Sequence, residues 1–213
     1  MKNLLCLILA SIISVPVMAS ENDFWEWFSH NQQAIESYES GNETLLDDIL
    51  IALHKYNDAL YFEFSTQNEV NEFIISAGGD SEQFDSVFTL VGAAPKLKNW
   101  AFIALKPAMG FDFISTYEGV DYDPDKIWFL PLVSHSSPDK LGLRVGIPHY
   151  NSETHEHSVS AIWIVLDAGL GEFKSSQKID YIETVELPSN PEELGYIEFN
   201  EIGDYLDWLE KKT

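Results

Sequence analysis

The chain has 213 residues, a single cysteine, and a formal charge of −23 from 35 acidic against 12 basic side chains. A field of that sign repels phosphate backbones and anionic lipid, which argues against nucleic-acid and peripheral-membrane roles and favours a cation or a basic protein as partner. With 45% apolar and 13% aromatic residues, the composition is that of a folded globular protein and not of an acidic disordered one.

The chain opens with the marks of an export signal: Lys2, an apolar run over 4–15, and the small-residue spacing Val17-Met18-Ala19. Residues 1–19 are therefore expected to be a signal peptide and 20–213 a single α+β domain, exported to the periplasm or secreted from a bacterial cell. The apolar run falls short of the roughly 20 residues that span a bilayer. Cys6 lies inside the leader, so the mature chain is expected to be cysteine-free, with no disulfide and no thiolate chemistry.

Asp23 is expected to open a helix over 23–40, with Phe24, Trp27, Phe28, Ile35 and Tyr38 on one face. The aromatic run FWEWF could form a sugar-stacking platform, but its helical spacing points to core packing. A second helix over 43–55 buries Leu46, Ile49, Leu50 and Leu53 and completes a helical hairpin. The period then switches to two: Leu60, Phe62 and Phe64 alternate with Tyr61, Glu63 and Ser65, and a further strand is expected over 73–77. Gly78-Gly79-Asp80 reads as a plain turn, because it lacks the dinucleotide and Walker fingerprints.

Next comes the unit on which the rest is built. Phe84, Val87, Phe88 and Val91 fall on one helical face, Asp80 and Gln83 suggest a capping box, and Pro95 ends the helix before a strand over 100–105. Further strands are expected over 111–114, 127–133 and 141–147, with Pro131 suiting an edge or a bulge. The run over 159–166 is the most β-like of the chain and is expected to be a central strand. A short helix weakened by Gly169 and Gly171 follows, then a strand over 181–187 and a closing helix over 201–211. The sum is an α+β fold: an N-terminal helical hairpin, a mainly antiparallel sheet with one intercalated helix, and a C-terminal helix.

Two clusters could hold a metal. On a strand His155 and His157 would point to one side, and with His149 or Asp167 supplying more they could bind zinc, the basis for a metal-dependent hydrolase on the three histidines as the alternative function. Asp121, Asp123 and Asp125 resemble the start of a calcium loop, but Lys126 stands where the EF-hand pattern needs glycine. No cofactor is otherwise expected. Nucleophilic catalysis finds no support, since there is no G-x-S-x-G elbow and Ser134-His135-Ser136 has no orienting carboxylate at a meaningful spacing.

The segments FWEWF, LVGAAPKLKNWAFIALKP, IVLDAGLGE and KIDYIETVEL together resemble a family of exported bacterial proteins that has no assigned activity. The resemblance spans most of the mature chain, implies a shared fold, and carries over no catalytic residue. The function expected from the sequence is therefore non-catalytic binding by an acidic exported protein, with a basic protein as the partner class.

Overall fold

A computed structural model describes residues 19–39, 41–65, 70–133, 140–148 and 150–212. Helix α1 (Glu21–Glu36) starts at Ser20, whose hydroxyl accepts from the Asp23 N–H while the Asp23 carboxylate accepts from the Ser20 N–H. This reciprocal pair satisfies two of the donors that a helix start leaves open. Helix α2 (Glu43–Tyr56) is capped by Asn42 and runs back along α1. Strands β1 (Tyr61–Ser65) and β2 (Asn71–Ser76) pair antiparallel, and helix α3 (Phe84–Gly92) crosses over to β3 (Trp100–Ala104), parallel to β2. Phe28, Ile49, Leu53, Phe73, Ile75, Val87 and Leu90 meet in one buried cluster between these helices and the sheet. Phe88, expected on the buried face of α3, stands 45% exposed, and Leu90 takes its place inside.

The C-terminal half has its own core. A small hairpin, β4 (Ser115–Tyr117) and β5 (Val120–Tyr122), precedes β6 (Trp128–Val133) and β7 (Leu141–Ile147). Helices α4 (His155–Leu170) and α5 (Glu172–Lys178) form the crossover to β8 (Ile179–Glu186), which lies parallel to β7. Short β9 (Ile197–Glu198) and helix α6 (Ile202–Glu210) close the chain. The sheet order is β8-β7-β6-β9, antiparallel apart from the β7–β8 pair. Pro131 sits beyond the two residues of β6 that β9 pairs with, so its missing N–H faces an open edge as expected. Among the described residues no helix is long and apolar enough to cross a membrane.

The expected fold class holds, but two segments and the continuity of the sheet differ from expectation. The run over 159–166 is the middle of helix α4, not a central strand; β7 takes the central place. The chain over 111–114 makes no strand, and the β4–β5 hairpin follows it instead. The sheet is split, with strands β1–β3 in one half of the molecule and β6–β9 in the other.

The chain crosses between the halves once, just after β3. There Leu105 adopts φ +63 while 3% exposed, a left-handed conformation uncommon for a bulky residue, and its N–H is tied to the Ile75 carbonyl. The crossing segment then leans on the end of α4: Met109 N–H donates to the Ala168 carbonyl and Gly110 N–H to that of Gly169.

Candidate functional site: a cleft between the two halves

Helix α4 carries apolar residues on two sides, one packed into the C-terminal core and the other lining a cleft. Ala161, Ile162, Val165 and Leu166 fill the C-terminal core. Ser160, Trp163, Ile164 and Asp167 recur at helical spacing and line the opposite side, one wall of a cavity of about 690 Å³. The facing wall is the turn of Gly78, Gly79, Asp80, Ser81 and Glu82, with Lys106, Lys140 and Asp180 around them. Cavities where two packed units meet are common ligand seats.

Two buried carboxylates organise this junction. Glu172, fully buried at the start of α5, accepts from the Ala77 and Gly79 N–H groups through Oε1 (2.8 and 3.0 Å) and from the Lys106 N–H through Oε2 (3.0 Å). A charged acceptor on three main-chain donors is a strong arrangement, and it joins α5 to the ends of β2 and β3. Gly171 makes it reachable: at φ +82 it separates α4 from α5, and a Cβ there would lie 3.0 Å from the Ala108 nitrogen.

Asp167 is 7% exposed and lies at the floor of the cavity. Its Oδ1 accepts a 2.5 Å hydrogen bond from Ser175, itself fully buried. The Ser175 hydroxyl thus orients the carboxylate. Oδ2 faces Gly79, where a side chain would begin 3.4 Å away. Loss of water pushes the Asp167 carboxyl up to about 6; the Ser175 hydroxyl holds it down, the Glu172 charge adds to the rise, and Lys106 opposes it. Among the described residues Asp167 closes no ion pair, and Lys106 is engaged with Glu63 at 3.0 Å.

The sign of the stability effect follows. Because the native carboxyl holds its proton more tightly than the unfolded one, its contribution is fullest below about pH 4 and is lost as pH rises through about 6. Asp167→Asn keeps an acceptor for Ser175 and removes the charge. The variant is expected to be more stable than wild type at pH 7.5 by about 1–3 kcal/mol, with the gap closing towards pH 4, read from urea unfolding at each pH.

Of the described metal candidates read from the sequence, only Asp167 lines this cleft. On helix α4, His155 and His157 leave the axis roughly 200° apart, so the shared side expected of a strand is lost. His155 Nδ1 lies 2.8 Å from the Tyr150 hydroxyl and 3.1 Å from that of Thr184, while His157 stands edge-on to Tyr117. His149 falls outside the described residues, as does the segment 134–137. The three aspartates of the acidic turn face different partners: Asp121 accepts from Thr116, Asp125 from Asn200, and Asp123 pairs with Lys126 at 2.8 Å. The Lys126 hydrogen bond holds the Asp123 carboxyl below its usual range. Among the described residues no group of three His, Cys, Asp or Glu is placed to hold a metal ion.

Asp167 entered the sequence reading only as a further zinc ligand beside the histidines, and Glu172 escaped it. The signal that could have placed Asp167 in the cleft is the helical spacing it shares with Ser160, Trp163 and Ile164. Nothing local marks Glu172, whose partners lie 66 to 95 residues away. No family model, curated protein or solved structure matches the chain.

Proposed function

We propose that the protein, exported on the strength of its leader, acts by binding and receives a basic group of a protein partner in the cleft between its halves. The observation that carries this reading is the Asp167 carboxylate: 7% exposed, at the floor of a cavity, without an ion pair among the described residues. A buried charge in that position is stabilised by an incoming cation, and truncated guests gain less. Asp80, Glu82 and Asp180 around the cavity, and the net charge of −23, would steer a cationic partner towards it.

A fluorescent pentalysine peptide, with its fully acetylated form as control, tests the reading. Ser160→Trp places an indole on the α4 wall and is expected to weaken pentalysine binding at least about tenfold, with circular dichroism unchanged. Equal affinity of the wild type and the filled variant would assign the attraction to the general acidic surface and remove the cleft from the account.

A further inference from the structure

We propose that the cleft seats an alkylammonium ion with its hydrocarbon stem along α4, and that the ammonium takes the place of the proton on Asp167, so that acidification releases the ligand. The inference rests on the cleft being the binding seat and adds the chemistry of the guest and its control.

The stripe on α4 grades from outside to inside. Ser160 is exposed, Ile164 is 42% exposed, Trp163 is half-buried, and Asp167 closes the floor. Seven residues of helix span about 10 Å, room for an alkyl chain of several carbons between the rim and the carboxylate. The indole of Trp163 offers that chain an apolar wall whose π face also favours a nearby cation. A neutral polar guest would leave the floor carboxylate uncompensated; an anionic one would meet it directly.

Among the described carboxylates that line the cavity, Asp167 is the buried one without an ion pair. From α5, Glu172 commits both oxygens to main-chain N–H groups, and Ser175 donates to Oδ1. After β3, Lys106 is paired with Glu63. The turn before α3 presents Gly79, without a side chain, then Asp80 and Glu82; Lys140 and Asp180 stand on the remaining side of the cavity. Asp80 is occupied in capping the Glu82 N–H.

Proton and ammonium thus compete for one carboxylate. The free carboxyl titrates at about 6, within reach of ordinary acidification. A guest that binds only the ionised form then loses about tenfold in affinity at pH 5 relative to pH 7.5, the fraction of Asp167 still charged.

Pentylamine, with 1-hexanol and hexanoate as neutral and anionic counterparts, is titrated into the full chain and followed calorimetrically. Pentylammonium is expected to bind in preference to both, with Kd rising about tenfold from pH 7.5 to pH 5, and Asp167→Asn is expected to bind it at least tenfold more weakly without a pH slope. The wild-type slope needs no variant and stands even if a substitution perturbs folding. If Ser160→Trp abolishes pentylamine binding while wild-type affinity ignores pH, or if hexanol or hexanoate binds better, the exchange is refuted and the cleft survives as the seat. If none of the three compounds binds at millimolar concentration, or Ser160→Trp leaves their binding unchanged, both readings fall.

Discussion

Glu172→Ala is expected to lower the unfolding free energy by about 3–5 kcal/mol, as a shift of the urea midpoint. The carboxylate is fully buried and accepts from Ala77, Gly79 and Lys106 N–H groups. Alanine strands these donors at the junction, and each buried donor left without a partner costs about 1–3 kcal/mol. Water entering from the cleft would recover part of that, which keeps the total below the simple sum. Glu172→Gln should fall between: its carbonyl can keep the Ala77 and Gly79 bonds, while its amide group meets the Lys106 N–H donor to donor. Equal stability of all three proteins would mean that the halves do not depend on this acceptor.

Phe28→Ala is expected to lower stability by a similar amount, about 3–5 kcal/mol, through the cavity it leaves. Phe28 is fully buried and its ring lies 4.9 to 5.7 Å from those of Trp25, Phe73, Trp100 and Phe102, all at steep angles. Edge-to-face contacts of this kind add to the area buried, so the loss should sit at the upper end of the range. The same urea titration decides between the two roles of the FWEWF run. A loss below about 1 kcal/mol would place the ring outside the core and reopen a stacking platform.

Where the apolar residues have only one side to bury, the sequence was readable. Tyr61–Ser65 and Ile179–Glu186 alternate because one sheet face is packed and the other meets solvent or the second half. Helices α1, α2 and α6 show their stripes for the same reason. Helix α4 does not. Val159, Ile162, Ile164 and Val165 give it the β-branched content of a strand, and the apolar Trp163 and Ile164 on its cleft side blur the 3.6-residue contrast that would have identified it. That one misreading carried the site with it: on a strand His155 and His157 share a side, whereas on a helix Ser160, Trp163, Ile164 and Asp167 do. Gly171 was rightly suspected of weakening a helix after Asp167, and at φ +82 it separates α4 from α5. The Glu172 contacts were out of reach because their partners lie 66 to 95 residues away in the chain.

All of the donors that Glu172 holds belong to the peptide backbone. Substituting Ala77, Gly79 or Lys106 leaves the donor in place unless the newcomer is proline, which has none. The joint is therefore specified from one side only: a single acidic position carries the information, and its three counterparts are free of side-chain identity as far as hydrogen bonding goes. Paired changes between the two halves would leave no trace of it, however strongly it is maintained, and a designer rebuilding one half could change its chemistry widely so long as the turn keeps its path.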